Sequence, residues 1–134
     1  MRAVFYIAQR SHDGYKVGIK EIAVKINSPE PFLAKILQKL SREGLIQSVK
    51  GPNGGFYFDA ASLNRPLADI VAAVDGDEIF TGCGLGLTHC SESNPCPLHE
   101  DFKKIRNQIT YMMNNTSIGK FNIGLIKGKF TLNK

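Results

Sequence analysis

Cysteine is scarce in this chain, and its three copies in 134 residues are an odd number, which excludes a complete internal disulfide framework. No apolar run is long enough to span a bilayer. The opening stretch, residues 1–8, is cut off by Gln9 and Arg10 before it reaches the length of a signal-peptide core. A reducing, cytoplasmic setting with no membrane partner is therefore expected. Enzyme signatures are missing as well. No paired carboxylates sit at helical spacing in an apolar setting, and nothing resembles a nucleophile elbow. The glycine-rich run 50–55 lacks the Gly-Lys-Ser/Thr ending of a phosphate loop and precedes a strand pattern rather than a helix. Catalysis is not expected.

Acidic residues are absent from residue 102 onward. Residues 1–60 carry nine Lys/Arg against five Asp/Glu, residues 61–101 one against seven, and residues 102–134 seven against none. A basic head, an acidic middle and a basic tail suggest a polyanion as the partner of the two ends.

What the chain does have is concentrated. All three cysteines and two of the three histidines fall between residues 82 and 99, with the spacing C-x6-C-x5-C-x2-H. Glycine, serine, asparagine and proline fill the gaps, so the stretch reads as a loop. A thiol cluster on such a loop suits a metal centre whose ligands converge from several directions. Structural zinc usually takes tighter knuckles. Iron–sulfur clusters are larger and are held by cysteine thiolates, sometimes with histidine in place of cysteine. Cys83, Cys90, Cys96 and His99 make a plausible set of four, with His89 as a substitute for His99. Zinc and unligated thiols remain open. Pro97 is a favoured first helical residue, so Cys96 is expected at an N-cap with His99 one turn on, near a helix end that favours thiolate.

Taken in order, Val4, Ile7 and Ala8 follow helical spacing. That helix starts at Met1 with no capping residue, so a preceding segment is expected. Residues 11–14 end it, with His12 on a surface loop. Ile19, Ile22, Ala23 and Ile26 mark a second short helix. Residues 27–31 make a turn and a helix start. In the third helix Phe32, Leu33, Ile36, Leu37 and Leu40 form the expected buried face. Ala34, Lys35, Gln38, Lys39 and Arg42 form the opposite face, and Gly44 is a C-cap. Two helices joined by a tight turn, the second with a polar and basic face, give a helix-turn-helix pattern. A strand over 45–49, a turn over 50–55 and a returning strand over 56–58 would add a wing. Pro66 opens a fourth helix with Leu67, Ile70, Val71 and Val74 on its apolar face, ended by Gly76.

A longer helix is expected from Pro97 onward. Phe102, Ile105, Ile109, Met112 and Thr116 alternate by three and four residues along it, a seam suited to pairing with a second copy of the chain. After Asn114, the residues Phe121, Ile123, Leu125 and Phe130 suggest a strand or a packed arm.

The combination resembles the bacterial winged-helix transcription regulators that sense through an iron–sulfur cluster, the IscR/NsrR-like family. The matching pieces are residues 3–8, Ile22 with Ala23, Phe32 and Leu33 through Leu37, Leu40 with residues 44–46, the Gly-Pro-Asn-Gly-Gly-Phe run 51–56, residues 69–76, the cysteine loop and the helix after it. The resemblance covers nearly all the chain except its final segment. It implies an α+β, mostly helical fold: a winged helix-turn-helix domain (1–80), a cluster-binding loop (81–100), and a dimerisation helix with a C-terminal tail (101–134). It implies a homodimeric, promoter-binding regulator, often a repressor, gated by a cluster of the 2Fe–2S or 4Fe–4S type. By position, Cys83, Cys90, Cys96 and His99 would hold that cluster. Phe32, Ala34, Lys35 and Lys39 would lie on the recognition helix, and Lys50 with Asn53 on the wing. The first cysteine gap is one residue longer than the usual family spacing, so cluster type and fourth ligand stay open.

Overall fold

A computed structural model describes residues 1–131. Helix α1 (Arg2–His12) lies at its centre. Ala3, Val4, Phe5, Ile7 and Ala8 are all buried, more than one amphipathic stripe, because α2, β2 and the last helix all pack on α1. Helix α2 (Ile19–Ile26) ends at Asn27, which adopts the left-handed conformation (φ 51°, ψ 60°), one that asparagine tolerates better than most residues. Its backbone N–H returns to carbonyls of the last turn, and the chain reverses into α3 (Glu30–Arg42), with Pro31 in the first turn. This is the expected helix-turn-helix.

The buried stripe of α3 is Leu33, Leu37 and Leu40, with Ile36 half-buried beside it. Phe32, expected on that stripe, is instead 61% exposed. It precedes Leu33 by one residue, so it is rotated by about 100° out of the core.

The wing is a two-stranded antiparallel hairpin of β1 (Gln47–Val49) and β2 (Gly55–Tyr57), with Gln47 opposite Tyr57 and Val49 opposite Gly55. Both strands are shorter or shifted relative to expectation. Leu45 and Ile46 are core residues leading into β1, and Phe58 is buried with its N–H donated to Ser11 Oγ at 2.9 Å. Val17 pairs with Phe56 through two backbone hydrogen bonds of 2.9 Å and so extends the sheet by one bridge. Gly55 (φ +143°) permits that approach, because a Cβ there would stand 2.8 Å from the Val17 backbone. A Ser41–Ser48 hydroxyl contact of 3.0 Å ties the end of α3 to β1.

A single-turn helix α4 (Ala60–Leu63) follows, capped reciprocally by Asp59 and Ser62. Helix α5 (Leu67–Asp75) buries Leu67, Ala68, Ile70 and Ala73, and packs on α3 and on the long helix. A second single turn, α6 (Glu78–Thr81), delivers the chain into the cysteine loop. Helix α7 (His99–Asn115) starts two residues later than expected, because Pro97 and Leu98 form a turn in which the His99 N–H donates to the Cys96 carbonyl at 3.0 Å. Cys96 is therefore not an N-cap.

Within its described part the tail is packed and helical rather than a strand. Residues 116–118 run beside residues 65–67, with Leu67 N–H on Thr116 O at 2.9 Å and Ile118 N–H on Arg65 O at 3.1 Å. The chain then turns into helix α8 (Ile118–Ile126), capped by the Ser117 hydroxyl. Ile118, Phe121 and Leu125 recur at helical spacing and cover α1. The Phe121 ring stacks on Phe5 with centroids 3.9 Å apart and planes 16° from parallel. The C-terminal helix thus belongs to the same core as α1. Among the described residues no helix is long and apolar enough to cross a membrane.

Candidate metal centre and nucleic-acid interface

The outer face of α3 presents Phe32, Lys35, Gln38, Lys39 and Arg42 to solvent, with Ala34 half-buried between them. Lys50 and Asn53 are exposed on the wing. Among the described residues, none of Lys35, Lys39, Arg42 and Lys50 has a carboxylate partner, since the ion pairs are Arg10–Glu21, Arg65–Asp69 and Lys103–Glu92. A cationic face without internal partners keeps its charge available to a polyanion.

The cysteine loop lies against one face of α7. Cys83, Cys90 and Cys96 are free thiols, each half-buried. Backbone N–H groups of Leu85 and Leu87 donate to the Cys83 sulfur, with the Cys96 and Cys90 thiols beside it, and together these hold the Cys83 thiol below its ordinary range. His99 is 4% exposed, and its Nδ1 stands 3.4 Å from Cys90 Sγ. Its Nε2 is buried without a hydrogen-bond partner among the described residues. His89 is exposed. The expected donors therefore approach one another in pairs. Among the described residues, however, no group of three or more His, Cys, Asp or Glu is placed to hold a metal ion. As chemistry, the donor set fits: three soft thiols, one lowered by backbone amides, and an imidazole with one nitrogen on a thiol.

His99, Phe102 and Arg106 of α7, spaced by three and four, face the first half of this loop and its cysteines. Phe102 was grouped by spacing with the apolar seam, but its ring lies under the loop at Gly84. In the sequence Arg106 stands beside the other basic residues of this stretch, Lys103 and Lys104. Its Nη1 donates to Gly82 O at 2.7 Å and approaches Cys90 Sγ at 3.7 Å. The one sequence signal for Arg106 was its position, four residues after Phe102. Ile105, Ile109 and Met112 form a neighbouring stripe, centred roughly 80° around the helix by its 3.6-residue turn. Ile105 and Met112 are each 52% exposed. Loop, α6 and α7 border an open pocket of about 910 Å³ that is lined by Cys83, His89, Cys90, Phe102, Ile105 and Arg106 among others. Lys103 pairs with Glu92 of the loop's second half, which raises the lysine and lowers the carboxyl through their hydrogen bond and mutual charge.

Known proteins resemble this chain along most of its length. IscR of Vibrio vulnificus (strain YJ016), an HTH-type transcriptional regulator, is 30% identical over 89 residues, which is 66% of this chain and 52% of that protein. The chain thus aligns with about half of that relative. IscR of Escherichia coli O1:K1 / APEC is 25% identical over 118 residues, covering 88% of this chain and 72% of that one. Among solved structures, T. potens IscR superposes with a TM-score of 0.72 at 17% identity over 98% of this chain and 86% of that one. CymR, described as the global cysteine regulator of B. subtilis, superposes with a TM-score of 0.70 at 19% identity, over 90% and 87%. These structures establish the winged-helix fold, and the named relatives are transcription regulators rather than enzymes. The family model that matches, described as an iron-dependent transcriptional regulator, spans residues 1–121, and on that match the chain belongs to the Rrf2 family.

Proposed function

We propose that this chain is a cytoplasmic, homodimeric, sequence-specific DNA-binding repressor whose grip on its promoter operator is gated by an iron–sulfur cluster. The observation that carries this reading is the placement of three thiols and a buried imidazole against α7, beside an exposed apolar stripe of the same helix. The IscR relatives support it.

In this reading Cys83, Cys90 and Cys96 would hold the cluster as thiolates and His99 would complete the set. When bound, a 2Fe–2S or 4Fe–4S cluster supplies a redox-active centre that nitric oxide, oxygen or peroxide destroys or converts. Ligation by these residues would draw the loop together from its pairwise contacts, and its loss would leave the loop free to relax from α7. Phe102 lies under the loop, at the edge of the stripe Ile105, Ile109 and Met112 that meets the second copy. A shift of the loop thereby alters how the two reading heads are set. Each head (1–80) enters the major groove with α3. There Lys35, Lys39 and Arg42 reach phosphates or base edges, while Phe32, Ala34 and Gln38 face the bases. Lys50 and Asn53 carry the wing to the backbone or the minor groove. Phosphate contacts give affinity, and base contacts give sequence choice. The loop (81–100) senses, and α7 with the tail (101–134) pairs the protomers, although α8 shares its core with α1.

A second reading keeps the fold and replaces the cluster with zinc or with the thiols themselves as the switch. The free Cys83 thiol, held below its ordinary range with the Cys90 and Cys96 thiols beside it, favours the thiol form of this switch. Oxygen-free purification separates the two. Visible absorption with iron and acid-labile sulfide supports the cluster; colourless, sulfide-free protein that still binds DNA supports the alternative.

A further inference from the structure

Arg106 touches the cysteine loop at two points eight residues apart in sequence. One nitrogen, Nη1, donates to the carbonyl of Gly82 and approaches the sulfur of Cys90. Its two hydrogens allow both contacts at once. The first contact fixes where the loop leaves α6. The second reaches the sulfur that also faces His99. Glu92 of the loop pairs with Lys103, and among the described residues no acid pairs with Arg106. The guanidinium is half-buried, so its charge is less screened than that of an exposed side chain. It therefore sets a positive charge, undiminished by any ion pair, against a sulfur that would carry negative charge as a ligand.

We propose that Arg106 is a positioning residue that clamps the first half of the cysteine loop to α7 and sets the electron demand of the centre through Cys90. The clamp ties the loop to the helix that carries the exposed stripe Ile105, Ile109 and Met112, so the state of the Cys90 sulfur is felt one turn from the pairing surface. A hydrogen bond and positive charge at a ligand sulfur favour the reduced, more negative centre. The electronic half of this proposal rests on the cluster reading above; the clamp itself does not.

The test compares wild type, Arg106→Lys and Arg106→Gln in the full chain. In the cluster-free protein, amide hydrogen exchange is read across residues 82–90. Arg106→Gln is expected to exchange about tenfold faster there, with α1 unchanged, because one charge-assisted hydrogen bond is lost. Arg106→Lys, which keeps the charge but offers a different geometry, is expected to fall between. If Arg106→Gln does not fold, Arg106→Lys alone decides, and exchange equal to wild type in the variant that is measured overturns the clamp. In oxygen-free, cluster-loaded protein, the midpoint potential is read from absorption. It is expected to move more negative in Arg106→Gln and to stay near wild type in Arg106→Lys. An unmoved potential in Arg106→Gln reduces Arg106 to a strut and overturns the electronic half. Wild-type protein that takes up no cluster sinks the cluster reading, and the exchange result still decides the clamp.

Discussion

Gly84 sits flush against the ring of Phe102: a Cβ built on the glycine would stand 2.2 Å from the ring's Cδ1. The ring's Cγ and Cε1 would stand at 2.3 and 2.4 Å, so the ring would have to swing or the loop to lift. The absent side chain lets the loop lie flat on the helix. Gly84→Ala is expected to lift the loop, at a local cost of roughly 1–3 kcal/mol for overpacking. Iron and sulfide content should fall severalfold after oxygen-free purification, while the thermal melting of the reading head stays within a few degrees of wild type. Full cluster content in Gly84→Ala would show that the close approach is incidental.

Lys50 is exposed at the wing and has no ion-pair partner among the described residues. Lys50→Ala is expected to weaken binding to specific and random duplexes alike, and to flatten the logarithmic salt dependence by roughly one unit. Binding titrations over several salt concentrations measure this. An unchanged slope would take the wing out of the interface.

The Phe5–Phe121 stack joins the first helix to the last. Because Phe5 is buried and Phe121 half-buried, Phe121→Ala is expected to cost about 2–3 kcal/mol, below the range for a fully buried ring. Urea unfolding reads the loss. A cost under about 0.5 kcal/mol would mean that α8 adds little to the core.

Burial, with the 2.5 Å hydrogen bond to Glu21, pushes the Tyr6 hydroxyl from its ordinary 10.0 up to about 12. Folding therefore favours the protonated phenol. Between these two values the unfolded chain loses this proton before the folded chain does, so the Tyr6 contribution is whole below pH 10 and is lost as pH rises toward 12. The melting-temperature difference between wild type and Tyr6→Phe should shrink or reverse across that window. A difference independent of pH would contradict the assigned shift.

Much of the reading head was legible in the sequence because its signals are local. Leu33, Leu37 and Leu40 carry the helical period, Asn27 to Pro29 mark the turn, and the glycines of 51–55 mark the wing tip. Phe32 was misplaced because its apolar character spoke louder than its angle on the helix. After Asn114 the sequence leaves a strand and a packed arm both open, because Phe121, Ile123 and Leu125 alternate by two. Ile118, Phe121 and Leu125 also carry the helical period, and the Phe5 face that covers them settles the choice. At the centre, the cysteines announce themselves by spacing. Arg106 does not, because Lys103, Lys104 and Arg106 look alike until the loop's path decides which one faces sulfur.

The central claim is that closure of three thiolates around one inorganic core governs the grip on DNA. The most direct measurement is the dissociation constant for operator fragments selected from genomic DNA. It is taken on oxygen-free protein as isolated, then on the same protein after its iron is removed, at one fixed salt concentration. The account predicts a change of at least about tenfold, an energy of roughly 1.4 kcal/mol, that vanishes in Cys90→Ala. Equal affinity before and after, in protein shown to have lost its iron, would contradict it.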